Sequence, residues 1–319
     1  MSLRDLFGLM RAALASAVIF LAGAVIPVLG GVVMIFAPAP VLGFSVGLRR
    51  PLTRMLAVVA LTMGLVALTG GVAAAAAYGL SFGVAAAVIC FMLERRKPFE
   101  MVVLCAAGAM LVAGTLAAFA AAGSPAALAR MLHDDLMLAM ARGQKFYHSL
   151  GIDGGLSADM ESGIADMALR LSPALAAISA AIIVLANLGL FWRLSGKQRR
   201  VGYTLFGDLA RWSSPEWLIW ALLVSGFGLF IPVAPLSTIA LDCFICVAAV
   251  YFCQGLAIMA FYFKVLAMPP LARGLIYFVT GVQPVLAALV CAAGIFDLWI
   301  DFRRLKPPSQ EARNFGDYL

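Results

Sequence analysis

Residues 99–122 read FEMVVLCAAGAMLVAGTLAAFAAA, a run whose single charge, Glu100, stands at its start. A helix needs about twenty mostly apolar residues to cross the hydrocarbon core of a bilayer. This run meets that requirement. Alternation of apolar and polar residues, the mark of a membrane barrel, is absent here and along the chain. Working outward, comparable runs occupy roughly 12–29, 31–47, 54–70, 72–92, 172–192, 216–233, 237–263 and 274–299. The expected fold is therefore all-α: a polytopic transmembrane helical bundle of about nine spans. Only Gly30 and Gly31 separate the first two runs, after Pro27. Eight spans result if these two form one broken helix plus a re-entrant piece, which is tolerable only where protein covers the exposed backbone.

Composition agrees. The 319 residues are 64% hydrophobic and 12% charged, with a mean hydropathy of +1.01. A soluble domain carries about a quarter charged residues, so an ordinary soluble globule, a disordered chain and a disulfide scaffold are excluded. The net charge of +7 does not imply nucleic acid, because the basic residues sit in short clusters beside apolar runs rather than in an aromatic-interleaved stripe. The lipid bilayer is the expected partner. Cys90, Cys105, Cys243, Cys246, Cys253 and Cys291 all lie inside apolar runs, where cysteine behaves as a small hydrophobe. Arg4 and Arg11 precede the first run as in a signal peptide, but the next run follows directly, so an uncleaved first span is expected.

Charge orders the connections. Arg49, Arg50 and Arg54 form one basic hinge, Glu94 to Lys97 a second, and Arg193, Lys197, Arg199, Arg200 and Arg211 a third. The positive-inside rule places all three, and the N-terminus, in the cytoplasm. Segment 123–171 then falls outside. After Trp217, three crossings leave Lys264 and Arg273 inside but put Arg303, Arg304 and Lys306 outside, against the rule. An even number of crossings would repair this. The expected regions are 1–122 with five helices, a connector over 123–171, helices over 172–300 and a polar tail over 301–319.

Within the connector, Ser124 followed by Pro125 is a helix start. Leu128, Leu132, Leu136 and Met140 then recur at i+4, giving an amphipathic helix at the interface. Gly151, Gly154 and Gly155 break it, and Ser157 caps a second helix bearing Met160, Ile164, Met167 and Leu171. The segment reads as a passive connector or as a lid over an outward-facing cavity.

Several patterns resemble chemistry without supplying it. Gly43-Phe44-Ser45-Val46-Gly47 matches a nucleophile elbow, which has meaning only on a strand–turn–helix beside a histidine. His133 and His148 are expected across the membrane from it. Cys243 and Cys246, with Asp242 and Cys253, have a metal-like spacing, yet i and i+3 on an apolar helix are ordinarily packing neighbours. Gly43-x-x-x-Gly47 and Gly79-x-x-x-Gly83 let helices approach closely. No Walker A, dinucleotide, zincin or haem motif occurs. No cofactor, no metal and no enzymatic activity are expected.

The polar residues inside spans carry more: Asn187, Asp242, Gln254, and Gln283 beside Pro284. Such groups turn toward a partner or a wet cavity. They are read as helix-to-helix hydrogen bonds or as residues orienting a polar ligand, with Pro284 freeing a carbonyl near Gln283.

The stretch Gly294 to Arg304 ends the last span as Asp297-Leu298-Trp299-Ile300-Asp301-Phe302-Arg303. With Pro215-Glu216-Trp217, Gln254-Gly255 and the break at Pro27 and Gly30-Gly31, it resembles the YybS-like family of bacterial inner-membrane proteins. That resemblance implies a distant similarity to substrate-binding subunits of energy-coupling-factor vitamin transporters, and so a transport-like role. The functional expectation is a multi-pass protein that binds a small molecule or lipid within its bundle. A partner would contact the loop over 193–211. The alternative is a non-transporting scaffold or assembly factor for envelope proteins.

Overall fold

The computed structural model describes residues 3–26, 29–46, 51–149, 151, 158–194 and 209–304. Among these the chain is helical, without strands. It divides into two compact units, Met1–Leu205 and Phe206–Leu319. The boundary between these units falls after the sixth apolar run. Run 172–192 joins the N-terminal unit because it packs on the helix over 99–122.

The first unit begins with α1 (Leu3–Val25). The chain returns as two short helices, α2 (Leu29–Met34) and α3 (Ala39–Ser45). This return accompanies α1 along its length. A Cβ on Gly30 would stand 2.4 Å from the Gly23 carbonyl oxygen, Ser16 meets Ala37 midway, and Phe44 lies against Gly8. A re-entrant loop would come back to the end it left. This segment finishes at the other end, so it is a broken pass.

α4 (Pro51–Tyr78) and α5 (Val84–Glu94), joined by a π-turn at Gly79–Gly83, follow one another over 44 residues. Gly71 interrupts α4 with φ 86° and ψ 168°, a conformation open essentially to glycine alone. The chain reverses there: Val59 lies against Gly83 and Met63 against Gly79. Two antiparallel arms result, breaking where the sequence separates runs 54–70 and 72–92. The first arm runs beside α1, with Thr62 near Ala13 and Arg54 paired to Asp5 at 3.2 Å.

α6 (Phe99–Ala122) ends at Gly123, whose φ of 74° supplies the left-handed cap. α7 (Pro125–Ser149) starts as expected, with the Ala127 N–H donating to Ser124 Oγ at 3.2 Å. α8 (Ala158–Arg170) is tied to it by a hydrogen bond from Gln144 Nε2 to Glu161 Oε1. Gly154, Gly155 and the Ser157 cap lie outside the described residues. α9 (Ser172–Leu194) completes the unit and packs on α6 and α3. Asp5, Arg54, Arg95–Lys97 and the α9 terminus with Arg193 thus share one end of unit 1. Segment 123–171 lies at the opposite end. Arg49 and Arg50 lie outside the described residues.

The second unit opens with a 3₁₀ turn, Leu209–Arg211, then α10 (Leu218–Gly228) and α11 (Ala234–Val265). α10 and α11 are antiparallel: Gly226 faces Phe244, and a Cβ on Gly228 would meet Ala240. α12 (Pro270–Val282) and α13 (Pro284–Ile300) are bent by 102° at Gln283. α13 runs parallel to α11, with Cys291 by Ala248, Gly294 by Tyr251, Asp297 by Gln254 and Phe302 by Tyr262. Run 274–299 is therefore not one straight crossing. Its proline breaks it into an out-and-back pair that returns to the end where α11 finished. Arg211, Lys264, Arg273, Arg303 and Arg304 collect at one end of unit 2, the even-crossing case that the positive-inside rule favours. Lys306 and the tail from 305 lie outside the described residues.

By length and composition alone, five helices among the described residues are suited to cross a membrane, or six if the bent pair is counted as one, which does not confirm the expected nine. Apolar side chains such as Leu68, Leu104, Val224, Phe227 and Leu271 stand exposed on the helices. That is the pattern of a bundle solvated by lipid, which is as apolar as the side chains themselves.

Candidate functional site

The break between α2 and α3 leaves residues 35–38 non-helical in the middle of unit 1. Backbone carbonyls freed there need donors, since lipid provides none. Side chains from other helices supply them. Asn187 Nδ2 on α9 donates to the Ile35 carbonyl at 2.7 Å and to that of Ile183, also at 2.7 Å. Ser16 Oγ on α1 donates to the Ala37 carbonyl at 2.6 Å and lies 2.7 Å from the Tyr78 hydroxyl. Asn187 is wholly buried, and its Oδ1 has no hydrogen-bond partner.

Toward the basic end of this unit, α1, α3 and α9 leave a half-open cleft of about 670 Å³. Its lining includes Gly8, Ala12, Ala15, Ile19, Phe36, Gly43, Phe44, Leu190 and Phe191, with Arg11 as the one charged residue. Gly8 and Gly43 keep the walls of α1 and α3 low. Segment 123–171 contributes no residue to the lining of this cleft.

In unit 2 the polar residues close on themselves. Gln254 is 1% exposed. Its Oε1 accepts from the Ser214 N–H at 3.1 Å and from Ser214 Oγ at 2.5 Å, and its Nε2 donates to Asp297 Oδ2 at 3.1 Å. Asp301 caps α13 in the left-handed conformation, φ 47° and ψ 60°, which Asp tolerates better than most residues. That turn brings the Phe302 N–H to Asp297 Oδ1 at 3.0 Å and folds Arg303 back onto Asp297 Oδ2 at 2.7 Å. Arg303 Nη1 also donates to the carbonyls of Ala210 at 2.9 Å and Trp212 at 2.7 Å. The arrangement clamps segment 210–214 to Gln254 of α11 and to the end of α13.

Of the four ligand residues read from the sequence, Asn187 belongs to unit 1 and the other three to unit 2. Those three do not gather. Gln254 sits in the clamp. Asp242 lies twelve residues earlier on α11, about 18 Å along a helix, with a buried Oδ1 that has no partner. Gln283 is exposed at the α12–α13 bend. Asp297, Arg303 and Ser214 were missed as site residues, although the run Asp297-x-Trp299-x-Asp301-Phe302-Arg303 stood out in the sequence. Ser16, Tyr78 and the Arg11 cleft had no signal beyond ordinary polar residues in apolar runs.

Among the described residues the nucleophile-elbow pattern is not joined by a histidine. Ser45 is buried with an unbonded Oγ, Gly47 lies outside the described residues, and both histidines are on α7 at the opposite end. Cys243 and Cys253 are exposed and Cys246 is partly so. Among the described residues no three His, Cys, Asp or Glu side chains gather as metal ligands.

No curated protein and no solved structure matches the chain. A family model described as "Predicted membrane protein (DUF2232)" matches residues 14–298, which takes in the broken pass, the Gly71 hairpin and the helix carrying Asp297. With that match over most of its length, the chain belongs to the DUF2232 family of predicted membrane proteins.

Proposed function

We propose that the protein is a transporter-like component of the bacterial inner membrane whose first unit binds an amphiphile with an anionic head. The supporting observation is the cleft between α1, α3 and α9, apolar on its walls with Arg11 as its one charged residue. Such walls accommodate an acyl or isoprenoid chain, and a guanidinium pairs bidentately with phosphate or carboxylate. Arg54, Arg95 to Lys97 and Arg193 cluster at one end of unit 1, and the positive-inside rule would set that end, with the N-terminus, in the cytoplasm. The resemblance to YybS-like proteins, and through them to vitamin-binding transporter subunits, fits this reading at the level of fold alone. Asn187 stays in the proposal as the polar group one turn deeper than Phe191. Gln254 does not, because its oxygen and nitrogen are already engaged.

Native mass spectrometry of the protein in mild detergent tests the reading. Wild type should retain an anionic lipid that Arg11→Gln loses and that Ala15→Trp, which fills the cleft, excludes. Equal lipid occupancy in all three would refute it.

A second reading, a scaffold or assembly factor, is favoured by the self-contained clamp around Gln254. There the buried polar residues serve stability, and a partner would dock on the 193–211 loop, whose residues 195–208 lie outside the described ones. Replacing Arg199 and Arg200 by Gln should then abolish function while the melting temperature stays unchanged.

A further inference from the structure

The geometry points to a monovalent-cation site at the α2–α3 break, built on Asn187. The Asn187 amide is committed on one side only. Its nitrogen donates to the Ile35 and Ile183 carbonyls, both at 2.7 Å. Its oxygen is fully buried and has no hydrogen-bond donor. Turning the amide over would aim this oxygen at the Ile35 carbonyl, oxygen against oxygen, so the unmet acceptor is fixed by the break itself.

Further oxygens belong to the same break. The Ile35 and Ala37 carbonyls take their donors from side chains rather than from the backbone. Each keeps a second lone pair. The hydroxyls of Ser16 and Tyr78 stand 2.7 Å apart beside Ala37. A freed carbonyl pair, two hydroxyls and an amide oxygen, contributed by a broken helix and three neighbouring segments, are the ligand types that hold alkali cations at interrupted helices.

The chemistry selects the ion class. A divalent cation such as calcium calls for carboxylates, and a soft metal calls for sulfur or imidazole. This set is all oxygen and carries no formal charge, which suits sodium or potassium. The break is flanked by Phe36, which lines the cleft, and Asn187 lies one turn from Phe191, which also lines it. A cation here would sit at the inner end of the proposed amphiphile site. The inference goes beyond that reading and does not require it.

The test uses the full-length protein in detergent at matched ionic strength in sodium, potassium or choline chloride. Sodium or potassium should raise the melting temperature over choline by about 5 °C or more at saturation. The shift should vanish in Asn187→Ala and Ser16→Ala. If the alanine variants do not fold, Asn187→Asp keeps the geometry, adds a charge, and should shift the half-saturating cation concentration at least tenfold lower. Equal melting in the three salts, a shift that persists in the alanine variants, or an unmoved midpoint in Asn187→Asp would overturn the assignment. Lipid retention measured on the same samples reports separately on the cleft.

Discussion

Arg303 and Asp297, six positions apart in the sequence, meet at 2.7 Å with 1% and 4% of their side chains exposed. The pair exists because Asp301 turns the chain back at the end of α13. It holds the Ala210 and Trp212 carbonyls as well, so one guanidinium ties the start of unit 2 to its end.

Breaking this pair leaves a buried charge alone, which typically costs about 3–5 kcal/mol. Asp297→Asn and Arg303→Gln should each lower the melting temperature strongly. The double variant should lose less than the sum of the two. Additive losses in a double-mutant cycle would show that the two side chains are not coupled.

The contact of α11 with α13 depends on two glycines. A Cβ on Gly255 would lie 2.0 Å from the Val290 carbonyl oxygen, and one on Gly294 would lie 2.0 Å from that of Tyr251. Both are backbone atoms that cannot step aside. Gly255→Ala and Gly294→Ala should each destabilise by about 1–3 kcal/mol or more. Gly108→Ala on α6, with nothing within 4 Å, should be neutral or slightly stabilising. Thermal unfolding of the three variants separates these outcomes.

The Gly71 reversal has a direct geometric consequence. Met63 and Gly79 are in contact across the hairpin, whereas a continuous helix would hold them about 24 Å apart. In a background without the native cysteines, Met63→Cys with Gly79→Cys should cross-link under mild oxidation. A Met63→Cys and Ala74→Cys pair serves as a comparison of mismatched register. Absence of the first cross-link would mean that the arms do not fold back.

Much of unit 1 was legible in the sequence because lipid imposes a length rule. Runs 54–70 and 72–92 are separated by Gly71, where the structure reverses, and Ser124 caps α7 as its hydroxyl and the following proline suggested. Run 274–299 misled because a hydropathy run looks the same straight or bent by 102°. Pro284 marked the place but not the angle. Gln254 was singled out as an isolated polar residue, yet its partners Ser214 and Asp297 lie forty or more positions away. Only the parallel course of α11 and α13 brings them together. The cleft beside Arg11 arises from three helices meeting, and no local pattern encodes that.

Reporter fusions give the most direct check on the course of the chain through the bilayer. The contact of Arg303 with Ala210 and Trp212 requires the segment before α10 and the end of α13 to share one side. Fusions after residues 208 and 319 should both report the cytoplasm, and one after residue 150 should report the outer side. Opposite locations for the 208 and 319 fusions would contradict the four-helix course of unit 2 and the clamp that closes it.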